Sequence, residues 1–389
     1  MQLQWLDSIN KVKAADWNAL FPADYPFSRY EFLQALELGG SVGSSSSGRD
    51  TGWLVRHFVI WQEEQLIAAI PAYIKMHSYG EYLFDWSFAE AYQNYGLDYY
   101  PKLLLAIPFT PAEGPRLGLA AGLDKTQLLQ WLQQGVDQLQ QEMPLSHLQC
   151  LYAAPDDQQA FHDSGFIERF DMQFLWSNQG FQHFDDFLAV LTARKRKQIR
   201  KERSAVTEQG VQLKTLTGAE LDATFWQQFY GFYCDTYQKR SRHNGYLTAD
   251  TFRRWGQTMA DQILVFAAFV DEKMVAASLC FQSETTLYGR YWGSEQDFNF
   301  LHFECCYYSG IDYCIKQGLQ FFDAGAQGEH KLQRGFAPVL RHGFYSFTEK
   351  AQHKAINEAI ARYCLQEQRA IEQYRQEAEL SLPFANRTD

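Results

Sequence analysis

The sequence predicts an α/β (α+β) protein of two domains, each a mixed central sheet flanked by helices. A chain of 389 residues is long for one ordinary domain. The same order of elements also occurs in both halves: a strand hairpin, a strand ending in tryptophan, a helix, another strand and a polar glycine turn. The two tryptophans are Trp86 and Trp292. We therefore predict one domain at residues 1–180 and a second at residues 181–389.

Composition and charge exclude several classes of protein. Hydrophobic residues make up 46% of the chain and aromatic residues 16%, which excludes a disordered chain. The formal net charge of −11 opposes general adhesion to nucleic acid or to an anionic membrane, so any contact with a polyanion must be local. The sequence has neither an apolar run of about 18 residues nor the order of a signal peptide. We expect a cytoplasmic protein with no integral membrane segment.

The first half begins with a short predicted helix at residues 28–38, with Ser28 as its N-cap and Phe32 turned inward. Residues 39–52, rich in glycine and serine, predict a surface loop or a loop that closes over a ligand. The other patterns of this half predict, in chain order, a strand hairpin at 53–61 and 65–74, a third strand at 75–86, a helix at 87–95, a strand at 102–107, a helix at 124–142 capped by Asp124, a strand at 147–153, a helix at 156–163 and a strand at 166–176.

A basic helix opens the second half at residues 192–213. Seven of the ten residues from Arg194 to Arg203 are basic, and Ile199 is one of the few apolar anchors. The helix is either solvated and paired with acidic neighbours, or it contacts phosphate groups of a nucleotide, a cofactor or an RNA. The candidate phosphate-binding residues are Arg194, Lys195, Lys197, Arg200 and Lys201.

The rest of the second half repeats the layout of the first. The patterns predict helices at 219–240 and 249–261, a hairpin at 263–270 and 274–281, a strand at 287–292, a helix from Leu301 to Gly318, a strand at 319–322 and a long outer helix at 349–379.

A turn of small residues after the 319–322 strand is the most distinctive chemical feature. It runs from Ala324 to Gly328, and four ionisable side chains crowd together beyond it: Glu329, His330, Lys331 and Arg334. A base, exposed amides and cations together suit acyl transfer to an amine, since the base takes the amine proton while the amides and cations hold an anionic donor and the oxyanion. The alternative is a solvated loop whose charges pair with one another.

We assign candidate roles on this basis. The predicted base is Glu329 or His330, and the predicted stabilisers are the amides near Gln327 and Gly328. The other predicted substrate contacts are Lys331, Arg334 and Arg116 for an anion, and Asp85, Glu81, Tyr79 and His77 from the first domain. Arg290 lies among aromatic residues and needs a partner if buried, for which Glu304 is the candidate. The structural alternatives are that Asp85 caps a helix and that His77 is a core histidine.

No pattern in the sequence suggests a metal site. The seven cysteines include no CxxC pair, and the HxE pair of His302 and Glu304 lacks the downstream PCxxC of zinc deaminases. We expect the cysteines to fill the core.

Several motifs together resemble one family. They are SVG at 41–43, TGW at 51–53, HSYGEYLFDW at 77–86, YYPKLL at 99–104, PFTPAEGPRL at 108–117, ARKRKQIRKER at 193–203, HFE at 302–304 and FDAGAQGEHKLQRGF at 322–336. The sequence resembles the bacterial FemAB-like family, labelled peptidoglycan biosynthesis/recognition. Its members are predicted N-acyltransferases with two fused acyl-CoA N-acyltransferase (GNAT) domains, and the resemblance spans nearly the whole chain.

The resemblance implies transfer of an acyl or aminoacyl group to an amine acceptor such as a cell-wall precursor, in a cleft between two GNAT-like domains. The implied donor is acyl-CoA or aminoacyl-tRNA, with a tRNA contact and no tightly bound cofactor. The GNAT pyrophosphate motif R/QxxGxG/A is absent after Trp292, so the basic helix suits a tRNA or nucleotide phosphate better than the CoA site does. The alternative function is non-catalytic recognition of peptidoglycan or its precursor.

Overall fold

The computed structural model describes residues 1–43, 51–326, 328–348 and 351–385. Its strands, β1 to β15, are Gln2–Leu6, Trp53–Val55, His57–Gln62, Gln65–Ile70, Ala72–Lys75, Lys102–Leu105, Gly118–Leu119, His147–Leu151, Ile167–Ser177, Gln212–Thr217, Ile263–Val270, Lys273–Gln282, Thr286–Ser294, Phe321–Asp323 and Ala337–Phe347. Its α-helices, α1 to α12, are Ala14–Asn18, Tyr30–Leu38, Trp86–Asn94, Lys125–Glu142, Pro155–Asp163, Phe184–Val190, Ala193–Glu208, Ala223–Ser241, Ala249–Thr258, Leu301–Phe303, Ser309–Gln317 and Lys354–Leu380.

The chain forms two compact units, each with its own apolar core. Unit 1 comprises Met1–Asp171 and Leu340–Gln373, and unit 2 comprises Met172–Val339 and the chain from Tyr374 onward. The ranges predicted from the sequence, 1–180 and 181–389, differ from these units chiefly in the returning segment Leu340–Gln373. That segment belongs to unit 1 because residues 343–347 of β15 pair with β8.

Unit 1 contains a mixed sheet in the order β2, β5, β6, β8 and β15. The β6–β8 pair is parallel, whereas β2–β5, β5–β6 and β8–β15 are antiparallel. A smaller antiparallel sheet has the order β1, β3, β4 and β7. The predicted hairpin therefore serves both sheets, because its runs break at Arg56 and at Pro71, which lacks the amide hydrogen needed to continue a ladder.

Unit 2 contains a sheet in the order β10, β11, β12, β13, β14 and β9. All of its pairs are antiparallel except β13–β14. The predicted hairpin β11–β12 turns at Asp271 and Glu272, whose φ angles of 47° and 64° match the tight turns of such hairpins. The chain between the parallel strands β13 and β14 holds α10 and α11, which pack on the sheet as part of the core of unit 2.

Helix α4 and the basic helix α7 confirm two predictions. Helix α4 begins after Asp124, whose carboxylate accepts a hydrogen bond from the Gln127 amide at 3.0 Å. Helix α7 begins after Thr192 and buries Ile199 and Val206, as expected. The helix from Leu301 also ends at Gly318, with a φ angle of 70°.

Three local predictions are wrong. Ser28 does not cap α2, because it lies in a buried 3-10 turn and the helix begins at Tyr30. The third strand at 75–86 is a loop, since Gly80 and Tyr82 have positive φ angles of 81° and 70° that a strand cannot contain. Strand β15 was not predicted before the last helix. Most of the predicted 39–52 loop, residues 44–50, lies outside the described residues.

Candidate active site

Unit 2 builds a polar site from two local irregularities in its backbone. The π turn Glu304–Tyr308 joins α10 to α11, and such turns often occur at functional positions. The 3-10 turn Glu329–Arg334 lies between Gly328 and Gly335, whose φ angles of 100° and 81° are positive. A Cβ atom on Gly328 would lie 2.7 Å from the His330 ring, so this turn requires glycine.

Arg334 is a buried cation of the 3-10 turn. Its Nη2 donates to Glu202 Oε2 at 3.1 Å, and its guanidinium lies 3.6 Å from the centroid of the Phe303 ring. Glu202 also accepts hydrogen bonds from Tyr308 Oη and Gln198 Nε2. Arg334 Nε is buried and has no hydrogen-bond partner among the described residues. The site thus holds a fixed positive charge with one donor that the described residues do not satisfy.

Lys331 is the second buried cation of this turn, and its ammonium donates to the Gly325 carbonyl. Burial lowers the pKa of Lys331 to about 8; Asp323 opposes this shift and Arg290 adds to it. Lys331 therefore titrates within the range of pH at which the protein can be assayed.

Two histidines lie beside these cations. Burial lowers the pKa of His302 to about 4, and the positive charge of Arg240 adds to the shift. Burial and the charge of Arg334 also lower the pKa of His330. The Nε2 atom of His330 lies 2.9 Å from Tyr307 Oη. Both imidazoles are therefore neutral near pH 7 and can accept a proton.

The charges of this site do not cancel among the residues that define it. Its cations are Arg240, Arg290, Lys331 and Arg334, and its carboxylates are Asp323 and Glu202. With both histidines neutral, four positive charges face two negative ones. The resulting positive potential favours an anionic ligand. We refer to these residues, with His302, His330 and Tyr307, as the cationic site.

Glu304 is buried, but its partner is not the arginine that the sequence suggested. Arg203 donates to both of its oxygens, at 3.1 and 3.0 Å, and Ser309 Oγ donates at 3.2 Å. Arg203 comes from the basic helix, so Glu304 ties α7 to the π turn. Arg290 lies near Lys331 instead, where its charge lowers the lysine pKa.

The two predicted bases have different surroundings, although both are exposed. Glu329 Oε1 accepts a hydrogen bond from Tyr374 Oη at 2.5 Å, which directs it toward α12. His330 contacts Tyr307 and lies near Arg334, so it belongs to the cationic site. These contacts favour His330 over Glu329 as the base. Gln327, predicted as an amide donor, lies outside the described residues.

Unit 1 contains a separate buried network centred on Lys102. The Lys102 ammonium donates to Asp85 Oδ2 at 2.6 Å, Glu81 Oε2 at 2.7 Å, Gln149 Oε1 at 2.8 Å and Ser78 Oγ at 3.0 Å. All five side chains are buried. Four hydrogen bonds from one ammonium fix the loop that carries Ser78, Glu81 and Asp85 onto β6.

A second buried lysine makes the charge balance of this network unusual. Lys75 pairs directly with Lys102 across β5 and β6, and its ammonium lies 4.0 Å from Glu81 Oε1. Like charges at directly opposed positions destabilise a sheet, so the two carboxylates are needed to hold the lysines there. Burial raises the pKa of Glu81 to about 7, against the attraction of Lys102. Burial also opposes ionisation of Asp85, but Lys102 holds its pKa at about 2.

The structural alternatives for this loop do not hold. Asp85 occupies the N-cap position of α3, yet its side chain makes no capping hydrogen bond. His77 is only half-buried, so it is not a core histidine, and its ring packs 5.1 Å from the exposed ring of Tyr79.

Arg116 does not fit the predicted role of anion contact. Its side chain is fully buried, and its guanidinium donates to the carbonyls of Leu151, Ala112 and Pro115 at 2.9, 2.8 and 3.3 Å. The turn that carries Arg116 folds the side chain inward onto backbone acceptors. Its role is therefore structural.

The basic helix α7 presents most of its predicted phosphate-binding residues to solvent. Arg194, Lys197, Arg200 and Lys201 are exposed, and Lys195 is half-buried. Arg200 pairs with Asp185 at 2.9 Å. For Arg194, Lys197 and Lys201 the described part of the chain provides no ion-pair partner.

Sequence reasoning missed several residues of both sites: Glu202, Arg240, His302 and Tyr307 in unit 2, and Ser78 and Lys102 in unit 1. Glu202 was hidden within a helix of basic residues. Lys102 carried a usable signal, because a lysine at the start of the apolar run 102–107 must be paired if that strand is buried.

We expect inorganic pyrophosphate to bind the cationic site more weakly as the pH rises through about 8. A lysine is positive below its pKa, so the proton lost by Lys331 removes one attractive charge, which costs about tenfold in affinity. Calorimetric titration at about pH 7 and about pH 9 measures this change. Lys331→Met should bind more weakly at the lower pH and lose this step; an identical pH dependence in both proteins would contradict the assignment.

Comparisons with known proteins follow from this fold. Two units with mixed sheets and flanking helices make the chain a tandem GNAT-like α/β protein. It belongs to the FemAB-like family, described as peptidoglycan biosynthesis/recognition, whose family model matches residues 8–386. A search of curated proteins gives no match.

Solved structures support the fold. FemX superposes with a TM-score of 0.51 at 10% identity, covering 92% of this chain and all of FemX. The C-terminal domain of a putative lysylphosphatidylglycerol synthetase from Agrobacterium fabrum gives a TM-score of 0.50 at 11% identity, covering 90% and 97% of the two chains. A tandem GNAT protein of the clavulanic acid biosynthesis pathway gives 0.44 at 8% identity, covering 90% and 100%.

Two further searches of the described residues found nothing. No three His, Cys, Asp or Glu side chains there are placed to hold a metal ion. None of the helices described combines the length and the apolar character needed to cross a bilayer.

Proposed function

We propose that this protein is an N-acyltransferase that moves an acyl or aminoacyl group onto an amine acceptor, with a cell-wall precursor as the acceptor. The observation that carries the proposal is the cationic site, where cations and neutral imidazoles meet at the π turn and the 3-10 turn. The cations suit the anionic part of a donor, and a neutral imidazole suits removal of the amine proton. Family membership is the reason for choosing a cell-wall acceptor.

In the proposed reaction, His330 acts as the general base. With His330 Nε2–H donating to Tyr307 Oη, the Nδ1 atom carries the lone pair that accepts a proton from the attacking amine. The amine nitrogen bonds to the donor carbonyl carbon as the bond to the leaving oxygen or sulfur breaks. The proton on His330 then passes to that leaving group. Lys331 and Arg334 are the groups proposed to stabilise the anionic charge of donor and oxyanion.

The proposed donor is aminoacyl-tRNA or acyl-CoA, bound without a tightly held cofactor, and the proposed compartment is the cytoplasm. The experiment incubates the full chain with each donor and an amine-bearing muropeptide, and identifies the product by mass spectrometry. An acceptor whose mass rises by one acyl or aminoacyl group supports transfer. Muropeptide binding without any product from either donor would replace the proposal with the alternative, a non-catalytic recognition protein.

If tRNA is the donor, we expect its affinity to depend on the unpaired cations of α7. Replacing Lys197 and Lys201 together by glutamate should weaken tRNA binding and lower the slope of log affinity against log salt by about one for each lost phosphate contact. Filter binding over a range of salt concentrations measures the slope. The control is Lys354→Glu, an exposed lysine at the start of α12. An unchanged slope in the double variant would remove α7 from the donor site.

A further inference from the structure

The loop between β5 and α3 exposes a row of aromatic rings whose role the cationic site does not explain. Consecutive ring centroids are 5.1 Å apart for His77 and Tyr79, 5.0 Å for Tyr79 and Trp86, 5.9 Å for Trp86 and Phe84, and 6.5 Å for Phe84 and Tyr82. We refer to these five residues as the aromatic row. Tyr79 is 54% exposed, Trp86 41% and Phe84 37%. Neighbouring exposed rings on one loop are typical of a binding surface.

The loop is fixed from beneath by the Lys102 network. Ser78, Glu81 and Asp85 point inward and are hydrogen-bonded to the Lys102 ammonium, while the aromatic residues between them point outward. The positive φ of Gly80 is part of the same arrangement, since a Cβ atom there would lie 2.6 Å from the Phe109 ring. An irregular loop held by buried charges presents its rings in fixed positions, which lowers the entropy lost on binding.

The charge of this surface restricts its ligand. The sequence has no lysine or arginine between Lys75 and Lys102. Both of those lysines are buried, and Arg169, which donates to the Phe84 carbonyl, is bound to Glu367. A nucleic acid or an anionic membrane requires cations beside the rings, and the loop offers none. The aromatic row therefore suits a neutral ligand.

We propose that the aromatic row binds a neutral sugar ring, of the N-acetylated amino-sugar class. The C–H bonds on one face of such a ring carry partial positive charge and pack against the negative faces of aromatic rings. The acetyl methyl group adds apolar area to the same contact. The inference rests on the proposed function in one respect: the sugar is taken to be part of the cell-wall acceptor, so the row would position that acceptor rather than react with it.

Binding is tested on the full chain by isothermal titration with a tetrasaccharide of β-1,4-linked N-acetylglucosamine. We expect saturable binding that Tyr79→Ala and Trp86→Ala each weaken by about tenfold or more. Tyr79→Phe and Trp86→Phe keep a ring and should stay within about threefold of the unaltered protein. The matched control is Tyr95→Ala, because Tyr95 is 61% exposed at the end of α3 and outside the row. Unfolding midpoints establish that each variant is folded.

Two results would overturn the proposal: no binding of the tetrasaccharide, or equal binding by the alanine variants and the control. In a parallel arm, sedimentation with phosphatidylcholine vesicles that depends on Tyr79 and Trp86 would show a membrane-binding surface instead. The titration needs no donor and no turnover. Saccharide binding without acyl transfer would therefore count against the proposed function alone, and transfer without saccharide binding would count against this inference alone.

Discussion

Replacing Lys102 by methionine is expected to destabilise the protein by about 3–5 kcal/mol, the cost typical of removing one partner from a buried ion pair. Methionine fills a similar volume but leaves Asp85 and Glu81 buried without the ammonium that now lies 2.6 and 2.7 Å from their oxygens. Lys75 cannot compensate, since its ammonium is 4.0 Å from Glu81. Urea unfolding followed by circular dichroism measures the loss.

Two comparisons separate this effect from a general loss of packing. Lys201→Met removes an exposed lysine and should change the free energy of unfolding by no more than about 0.5 kcal/mol. Adding Asp85→Asn to Lys102→Met should recover part of the stability, because the uncompensated charge is then gone. The folded-state pKa of Asp85 is depressed to about 2, so its share of stability is present above about pH 4 and is lost as the pH falls toward 2. A loss below about 1 kcal/mol in the single variant would contradict the network.

Replacing His330 by glutamine is expected to lower kcat by about 10²–10⁴-fold while leaving the fold unchanged. Glutamine keeps a polar side chain near Tyr307 but cannot accept the proton of the attacking amine. The lowered pKa of the histidine, caused by burial and by Arg334, means that it is neutral at the pH of the assay. Rates are measured by product mass under saturating donor.

The matched comparison is between the two predicted bases. Glu329→Gln tests the competing assignment, and we expect a smaller loss from it because Glu329 is bound to Tyr374. His162→Gln, a change at an exposed histidine of unit 1, controls for loss of an imidazole elsewhere. A larger loss in Glu329→Gln than in His330→Gln would transfer the role of base to the glutamate.

Regular elements were predictable because their signals are local. The cap at Asp124 and the leucine spacing after it define α4 within a single window. The hairpin of β11 and β12 likewise follows from two apolar runs and the polar turn between them. Strand β15 was missed because it joins a strand nearly two hundred residues earlier in the chain, and no nearby partner marks it.

The sites were predictable only in part, for the same physical reason. The EHK cluster and the glycine turn were visible in sequence, and the structure places Lys331 and Arg334 in one site with His330. The burial of Glu202 was not visible, because it depends on Arg334 and Tyr308, which are more than a hundred residues away. The loop at 76–85 was mistaken for a strand because its alternation reflects attachment to Lys102, which mimics the period of a pleated strand.

The return of the chain at Leu340 also sets an order for biosynthesis. When the ribosome has made the first 180 residues, β8 still has an open edge, since its neighbour β15 is the product of codons read much later. Unit 2 can complete its core while that edge waits, apart from the residues of α12 that join it. A nascent chain stalled before residue 340 would therefore expose a hydrogen-bonding edge, and chaperones that recognise such edges should retain it.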